Sequence, residues 1–351
     1  MIGNVTVGGG APITVQSMTK TDTRDISATM RQVRALAEAG CHIVRLAVPD
    51  LEAATALKAI RHNSPVPIVA DIHFDHRLAI AAIGSGVDGL RINPGNISRA
   101  EHLRTVVSHA GQRNIPIRIG VNAGSLPRDY RPDQPLAERM VALALDQVRM
   151  LEAMDFRLIK VSLKASDVLT TVDAYRLIAD RIPYPLHLGV TEAGPPICGA
   201  IRNSLGIGIL LQMGIGDTIR VSLSGDPLLE VDAGNEILRS LGLLSQGASV
   251  ISCPTCGRTT LDVSSLATRV SERLRTVKEP IRVAIMGCVV NGPGECEHAD
   301  VGIAGGEDKV LVYRSGAFIH SVSSDNAYDA IIREIDLLLS ARSGAADWNA
   351  R

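Results

Sequence analysis

The sequence is poor in aromatic side chains, since only 3% of its 351 residues are Phe, Tyr or Trp. Proteins that bind single-stranded nucleic acid stack bases on aromatic rings, so this composition argues against such a role. The charge is nearly balanced, with 36 Lys and Arg against 37 Asp and Glu, whereas a nucleic-acid surface would show a basic excess or stripe. Any anion site must therefore be built from a few placed cations.

Long apolar runs are also missing. The stretch GIGILLQMGIGD (206–217) is broken by Gly and polar residues before it reaches transmembrane length. The first residues, MIGNVTVGGG, have neither the basic segment nor the apolar core of a signal peptide. These absences predict a soluble cytoplasmic protein, whose six cysteines are thiols or metal ligands rather than disulfides.

What the sequence does contain is a pattern that recurs from residue 12 to about residue 225. A short β-branched apolar run ends in polar or glycine residues, and a stretch with helical spacing of apolar residues follows. The runs are PITVQSMT, HIVRLAV, PIVADIHF, GLRINPG, PIRIGVNAG, RLIKVSLKAS, PLHLGVTEAG and TIRVSLSGDP. The spacing predicts helices over 27–40, 77–86, 136–154 and 227–242.

Strands that alternate with helices predict right-handed βαβ units and a parallel sheet. Eight such units match a closed (β/α)8 TIM barrel; the alternative is an open doubly wound sheet. We predict an α/β protein with a TIM barrel over residues 1–245. After about residue 245 the pattern stops, and we predict a small α/β domain over 248–342, with a helix at 264–277, and a polar tail over 343–351.

Polar and cationic residues occupy the ends of the predicted strands, where TIM barrels carry their active sites. They are Arg45, Asp71, His73, Arg91, Asn93, Arg118, Asn122, Lys164, Glu192, Arg220 and Ser222. Buried cations that outnumber acids repel each other unless a multiply charged anion lies among them, and Arg matches phosphate oxygens in a bidentate geometry. This pattern predicts a phosphate or diphosphate site. The alternative is that each Arg pairs with its own carboxylate or faces a helix.

Glu192 stands apart from the cations because it ends an otherwise apolar strand in the segment TEAG. A carboxylate at this position is a candidate proton donor or acceptor. The alternative is that it pairs with Lys164 or an arginine.

Four cysteines lie in the second domain. Cys253 and Cys256 form the C-x-x-C of SCPTCGR, and Cys288 and Cys296 flank the turn of MGCVVNGPGEC, which also holds Glu295. A zinc ribbon would show a second C-x-x-C, so the spacing favours an iron–sulfur cluster over zinc without excluding zinc. Cys41 and Cys198, in the barrel, are predicted to be small buried apolar residues.

Ten motifs in order resemble those of the bacterial 4-hydroxy-3-methylbut-2-enyl diphosphate synthases, a family of the methylerythritol phosphate route to isoprenoids. They are APITVQSMT, IVRLAVP, PIVADIHFD, LRINPGNI, IPIRIGVNAGSL, KVSLKASDV, LHLGVTEAG, GIGDTIRVSLSGDP, SCPTCGR and MGCVVNGPGE. The resemblance covers nearly the whole chain.

The resemblance implies a TIM barrel followed by a [4Fe–4S] domain similar to a repeat of sulfite and nitrite reductases. It implies that Cys253, Cys256, Cys288 and Glu295 hold the cluster, with the glutamate as the exchangeable ligand. Cys296 departs from the family pattern, which commonly has a small residue other than Cys at this position.

The resemblance further implies the substrate 2-C-methyl-D-erythritol 2,4-cyclodiphosphate and its reductive ring opening and dehydration by two electrons delivered singly through the cluster. Glu192 matches the acid/base residue of the family. Arg118, Lys164, Arg220 and Ser222 would hold the diphosphate, and the rest of the pocket would be lined by Arg45, Asp71, His73, Arg91, Asn93 and Asn122. The expected partners are flavodoxin or ferredoxin and a second copy of the chain in a head-to-tail homodimer.

Two other functions stay open from the residues alone. One is a sugar-phosphate barrel enzyme with a structural zinc domain, which would be indifferent to iron. The other is a scaffold or redox sensor without turnover, which the ring of cations at the strand ends argues against.

Overall fold

The structure, a computed structural model, describes residues 1–93, 97 and 99–349. The chain divides into two compact units, Met1–Leu244 and Ser245–Arg351. The division falls where the strand–helix pattern of the sequence stops. Pro94 and Gly95 of the fourth predicted run lie outside the described residues.

Within the described residues, the first unit alternates eight strands with eight helices. The strands are β1 (Thr14–Met18), β2 (Ile43–Ala47), β3 (Ile68–Asp71), β4 (Gly89–Ile92), β5 (Ile117–Asn122), β6 (Ile159–Lys164), β7 (His187–Leu188) and β8 (Thr218–Ile219). The helices are α1 (Ile26–Glu38), α2 (Leu51–Asn63), α3 (His76–Gly84), α4 (Ala100–Gln112), α5 (Leu136–Glu152), α6 (Val168–Ala179), α7 (Pro196–Gln212) and α8 (Pro227–Ser240).

The strands of this unit form a closed parallel sheet. Their order is β6-β5-β4-β3-β2-β1-β8-β7. The two ends of that row meet because Val161 of β6 forms a parallel bridge with Leu186, just before β7. The predicted TIM barrel is confirmed, and the open sheet is excluded.

The four barrel helices predicted with explicit bounds are present, and each ends two residues earlier than predicted. The residues at or just beyond these ends have left-handed backbone angles: Gly40, Gly86, Asp155 and Gly242. A left-handed residue ends a helix by redirecting the chain. The sequence pattern counted Gly40, Gly86 and Gly242 as helical, and for α5 it ran up to the residue before Asp155.

Aspartate side chains begin several barrel helices. The Asp50 carboxylate accepts a hydrogen bond of 2.8 Å from the backbone N–H of Ala53 at the start of α2. Equivalent caps at α1, α3, α6 and α8 are made by Asp25, Asp75, Asp167 and Asp226. Each cap satisfies an N–H that has no carbonyl partner in the first turn. These turns place the helices directly after the strand ends that carry the polar residues.

The apolar core of the barrel lies between the strands and the helices. Val44 and Leu46 of β2 and Leu57 and Ile60 of α2 are fully buried there. Alternate residues of each strand point the other way, into the barrel interior. Because the apolar residues occupy the helix side, the interior receives the polar ones.

A small apolar cluster lies at the amino-terminal end of the strands. Ile2 and Val5 pair in an antiparallel bridge, and Ile2 packs with Ile43 and Val69. This end is opposite the one at which the predicted site residues lie.

The seventh and eighth strands are shorter than the runs that predict them. Gly189 follows β7 with φ of +152°, and a Cβ at this position would lie 2.3 Å from the carbonyl oxygen of Arg220. Only glycine permits this approach of the two chains.

The second unit is a small α/β domain, as predicted. Its strands are β9 (Ala248–Ser252), β10 (Ile281–Met286), β11 (Val301–Gly305), β12 (Val310–Arg314) and β13 (Ala317–Val322), and its helices are α9 (Val263–Leu274), α10 (Gly292–Glu297) and α11 (Ala327–Asn349). β9, β10 and β11 are parallel, and β12 and β13 continue the sheet in antiparallel orientation. Leu266, Val283, Ile303 and Ile331 share its own apolar core.

The last helix extends into the segment 343–351, for which the sequence predicts a polar tail. It ends at Asn349, and residues 350–351 lie outside the described residues. Ala345 and Ala346 favour helix strongly enough to offset Gly344. None of the described helices has the length and apolar character needed to cross a membrane.

Burial along α2 predicts a contrast between two of its leucines. Leu57 is fully buried, whereas the side chain of Leu51 is 54% exposed. We expect Leu57→Ala to lower the free energy of unfolding by about 2–5 kcal/mol, because it removes buried methyl groups and leaves a cavity. Leu51→Ala is the matched control and should change it by less than about 0.5 kcal/mol. Urea unfolding followed by circular dichroism measures both, and equal losses would contradict this packing.

Candidate active site

Alternate residues of the strands bring most of the predicted site residues into the barrel interior. Arg45, Asp71, Arg91, Asn93, Arg118 and Lys164 are all buried there. Neighbouring strands place Asp71 beside Arg91, Arg91 beside Arg118, and Asn122 beside Lys164. The structure therefore gathers residues of separate motifs at one end of the barrel.

Asp71 is the carboxylate that lies among Arg45, His73 and Arg91. Its oxygens lie 3.6 Å from Arg45 Nε, 3.3 Å from Arg91 Nη1 and 3.6 Å from His73 Nε2. Burial by itself would raise the pKa of the Asp71 carboxyl, but Arg45, His73 and Arg91 together hold it well below its usual value. Asp71 is therefore ionised and orients two arginines.

Arg91 occupies a space that a glycine leaves free. A Cβ at Gly120 would lie 2.7 Å from Arg91 Nε. Burial lowers the pKa of Arg91, and Asp71 offsets part of that effect. Its Nε has no hydrogen-bond partner among the described residues, so this guanidinium retains a free donor.

Arg118 and Lys164 are buried without a carboxylate. Arg118 Nη1 donates to Ser162 Oγ at 3.1 Å, while its Nε and Nη2 have no partner in the described part of the chain. A Cβ at Gly189 would lie 2.7 Å from Lys164 Nζ, so this glycine makes room for the ammonium group. Burial and then the positive charge of Arg118 push the pKa of Lys164 well below its usual value.

The alternative to an anion site, in which each arginine pairs with its own carboxylate, does not hold for every cation. Asp71 serves both Arg45 and Arg91, while Arg118 and Lys164 take part in no ion pair among residues 1–93, 97 and 99–349. Positive charge therefore exceeds negative charge in this part of the interior. Such an excess is the electrostatic requirement for an anion site.

Arg220 is held by a carboxylate that the sequence analysis did not single out. Its Nη2 lies 3.5 Å from Glu230, which is buried in α8 and also accepts hydrogen bonds from Ser17 Oγ and the Leu223 N–H. Lys20 Nζ lies 3.3 Å from the same carboxylate. Burial, and next the charge of Arg45, lower the pKa of Arg220 to about 10.

The remaining predicted pocket residues lie around these cations. Asn93 Oδ1 accepts a hydrogen bond of 2.7 Å from Gln147, a buried residue of α5. Asn122 ends β5, and Ser222 follows β8; both are half-buried. The His73 side chain is 54% exposed at the edge of the group.

Glu192 lies in the loop after β7 with an unusual backbone. Its φ is +53°, the left-handed region that a residue with a side chain rarely adopts. Its carboxylate is solvent-exposed, lies 3.9 Å from the position of a Cβ on Gly124, and takes part in no ion pair among the described residues. The alternative in which Glu192 pairs with Lys164 is therefore not seen.

The predicted cluster ligands lie in the second domain, the three cysteines in two loops and Glu295 in α10. Cys253 follows β9, and its Sγ accepts a hydrogen bond of 3.2 Å from the backbone N–H of Gly287. The neighbouring Cys288 lies by the backbone N–H of Val290, which is the main reason that its pKa is lowered. Amide donors of this kind favour the thiolate form that iron requires.

Cys256 and Glu295 point outward, whereas Cys296 points inward. Cys256 and Glu295 are exposed, but Cys296 is fully buried against Ala284, Met286 and Ala304. Burial raises the pKa of Cys296 to about 12. A Cβ at Gly302 would lie 2.5 Å from the Cys296 Sγ. The cysteine therefore packs in the core in space that this glycine leaves free.

The metal donors are not gathered into one site in this structure. Among residues 1–93, 97 and 99–349, no group of three or more His, Cys, Asp or Glu side chains is close enough together to hold a metal ion. The donor types nevertheless suit an iron–sulfur cluster, because three accessible thiols lie on two adjoining loops and the exposed carboxylate of Glu295 lies in the helix that follows.

Several residues of the site escape the sequence reasoning. Glu230 could have been found, because it lies at i, i+4 spacing with Gly234 on the buried face of α8. Ser162 alternates with Lys160 and Lys164 in KVSLK and so shares their face. Gly120 and Gly189 give no such signal, since their role depends on side chains from other strands.

Solved structures show a similar fold at low sequence identity. Dihydropteroate synthase from Stenotrophomonas maltophilia has a TM-score of 0.51 and 15% identity, and covers 66% of this chain and 93% of its own. A type I 3-dehydroquinate dehydratase from Clostridium difficile has a TM-score of 0.50 and 16% identity, and covers 69% of this chain and 96% of its own. These similarities bear on the barrel fold alone.

Sequence comparisons identify the family over nearly the whole chain. The GcpE TIM-barrel domain matches residues 1–235, and the GcpE protein C-terminal domain matches residues 249–337. Two relatives are named 4-hydroxy-3-methylbut-2-en-1-yl diphosphate synthase (flavodoxin). The protein from Dehalococcoides mccartyi strain CBDB1 is 58% identical over 95% of this chain and 96% of its own length. The protein from Geobacter sulfurreducens is 53% identical over 97% of this chain and 97% of its own length. The resemblance predicted from the ten motifs is confirmed, and the chain belongs to the GcpE family.

Proposed function

We propose that the protein is a 4-hydroxy-3-methylbut-2-enyl diphosphate synthase, an iron–sulfur oxidoreductase of isoprenoid biosynthesis. It opens the ring of 2-C-methyl-D-erythritol 2,4-cyclodiphosphate with two electrons and releases water. The observation that carries the proposal is the excess of buried cations at the strand ends, in a chain 58% identical to a relative of that name. The barrel enzyme with a structural zinc domain is not favoured.

The diphosphate binds among Arg118, Lys164, Arg220 and Ser222. Arg118 is suited to this role because two of its nitrogens have no partner among the described residues. Ring opening breaks a carbon–oxygen bond to phosphate and leaves additional negative charge on the diphosphate. Fixed cations in a buried site stabilise that developing charge strongly, because they need no reorganisation.

The other pocket residues orient the carbon skeleton. Arg45, Asp71, His73 and Arg91 form one connected group, and Asn93 and Asn122 supply amide groups beside it. Glu192 donates or accepts the proton at the hydroxyl group that leaves as water. Its left-handed backbone supports this role, because strained residues are common at functional sites.

Cys253, Cys256, Cys288 and Glu295 hold a [4Fe–4S] cluster. When bound, the cluster supplies single electrons to the substrate and a Lewis-acidic iron. Glu295 is the ligand that exchanges, because a carboxylate holds iron less tightly than a thiolate does. The burial of Cys296 supports this assignment over a fourth thiolate.

Electrons come from flavodoxin or ferredoxin. Relatives in Dehalococcoides mccartyi and Geobacter sulfurreducens carry flavodoxin in their names. The reaction takes place in the cytoplasm, because thiolate ligands persist in a reducing compartment.

The protein functions as a head-to-tail homodimer in which the cluster domain of one subunit covers the barrel of the other. An exposed apolar stripe along α7 supports self-association. It consists of Ile197, Ile201, Leu205, Ile209 and Met213, at i, i+4 spacing. Large exposed apolar surfaces mark interaction sites, and a stripe of this kind packs on its own copy about a two-fold axis.

Metal analysis tests the proposed function directly. Protein purified without oxygen should contain about four iron and about four acid-labile sulfide per chain. Cys288→Ala should lose most of both, because it removes a thiolate ligand, whereas Cys296→Ala is the matched control and should keep both, because its thiol lies in the core. One zinc without sulfide in the wild type would sink the proposal, and loss of iron from Cys296→Ala alone would overturn the ligand assignment.

Sedimentation velocity tests the dimer. The wild type should sediment as a dimer and Leu205→Glu as a monomer, because the substitution places like charges opposite each other in the apolar stripe. The control is Leu51→Glu, since Leu51 is 54% exposed and Leu205 52% exposed. A monomeric wild type, or a dimeric Leu205→Glu variant, would show that this stripe is not the interface.

A further inference from the structure

A second set of polar residues lies in the barrel interior, closer to its amino-terminal end than the proposed diphosphate site. Lys160 is the first residue of β6 on the face that points into the barrel interior. Ser162 and Lys164 follow it on the same face. His187 lies in β7, pairs with Thr218 of β8, and Thr218 pairs with Thr14 of β1. These residues have no role in the proposed reaction.

Lys160 and His187 are buried close to other positive charges. Lys160 pairs with Arg118 in the sheet, and both are more than nine-tenths buried. His187 is fully buried beside Arg118, Lys164 and Lys160. Among the described residues, no carboxylate lies within ion-pair distance of Lys160 or His187. The acidic group that raises the pKa of Lys160 is the half-buried Asp217.

The same part of the interior holds hydrogen-bonding groups that have no protein partner. Both ring nitrogens of His187, the amide of Gln16 and the hydroxyls of Thr14 and Thr218 are buried and without a partner among the described residues. Unsatisfied buried polar groups cost free energy and are rare in native proteins. None of these groups is bonded to Lys160, so this part of the interior holds polar side chains that no described residue satisfies.

We propose that Lys160 is a proton-accepting residue beside the anion site, which takes up a proton from solvent when a diphosphate binds to the neighbouring cations. The inference rests on the proposed function, because it requires an anion at Arg118. The step is a proton transfer alone: the uncharged amine, which burial next to Arg118 without a carboxylate favours, gains a proton and becomes an ammonium ion.

The charges around Lys160 give the direction of the effect. Burial, and then Arg118, lower the pKa of Lys160 well below its usual value; Arg45 adds to this effect, and Asp217 opposes it. His187 is held neutral because burial lowers its pKa in the same way. An anion on Arg118 offsets that repulsion and raises the pKa of Lys160, so protein and anion together bind a proton that the free protein does not.

The consequence for the reaction concerns charge balance. Ring opening leaves more negative charge on the diphosphate than the cyclic substrate carries. A protonated Lys160 beside Arg118 adds positive charge next to the site where that negative charge develops. Lys160 is thus a positioning residue that acts through Arg118 rather than by contact with the substrate.

Titration calorimetry in several buffers tests the proposal. The holoenzyme, kept without oxygen and without an electron donor, is titrated with the cyclic diphosphate at mildly alkaline pH, in buffers that differ in ionisation enthalpy. Both phosphates of this ligand are fully esterified or bridged, so the ligand itself does not titrate near neutral pH. The observed enthalpy should vary with buffer in the sense of proton uptake, and the affinity should fall as the pH rises.

Two Lys160 variants and one control show whether Lys160 is the residue that takes up the proton. Lys160→Met should still bind but lose most of the uptake, and Lys160→Arg should lose it as well, because a guanidinium is already charged. Lys58→Met, on the exposed side of α2, should keep the wild-type uptake. Binding without uptake in the wild type, or full uptake in both Lys160 variants, would overturn the inference. Absence of binding in the wild type would instead contradict the proposed function.

Discussion

Mutual repulsion among buried cations is the constraint around which the barrel is organised. Asp71 compensates Arg45 and Arg91, and Glu230 compensates Arg220. Arg118 and Lys164 lie between these groups and have no carboxylate among the described residues. A buried charge without a partner costs several kcal/mol, so the folded protein carries an electrostatic strain that the proposed diphosphate would relieve.

Other parts of the barrel provide space for the buried cations and offset their cost in free energy. Gly120 and Gly189 leave the volumes that Arg91 and Lys164 occupy, and Ser162 fixes the direction of Arg118. Apolar residues such as Leu46 and Leu57 form a continuous core on the outer side of the strands. The stability of the fold thus comes from the layer between strands and helices, which leaves the interior free for charged groups.

In the second domain, close packing directs two neighbouring residues to opposite sides of one helix. Glu295 and Cys296 are adjacent in α10, yet one is exposed and the other is buried. The close approach of α10 to β11 decides this, because Gly292 and Gly302 permit contacts that a side chain would prevent. The outward direction of Glu295 is what leaves its carboxylate accessible to a cluster.

Much of this arrangement follows from the sequence, and the part that does not has a physical reason. Eight β-branched runs with polar ends predict the barrel, and alternation along a strand predicts that Arg91 and Asn93 share a face. The periodicity of a single element gives neither the partner of Arg220 nor the burial of Cys296, because Glu230 and Gly302 lie in the next helix and the next strand and meet them only when these elements pack. The helix ends were missed by two residues because glycines in the turn still fit the helical spacing.

Replacing Arg118 by methionine tests the central claim most directly. The midpoint of urea unfolding and the dissociation constant for the cyclic diphosphate would be measured on the same preparations. If Arg118 is held in place for an anion, Arg118→Met is more stable than the wild type and binds the cyclic diphosphate about tenfold to a hundredfold more weakly, the loss of one hydrogen bond to a charged group. A variant that is less stable, or that binds as tightly as the wild type, would contradict the account.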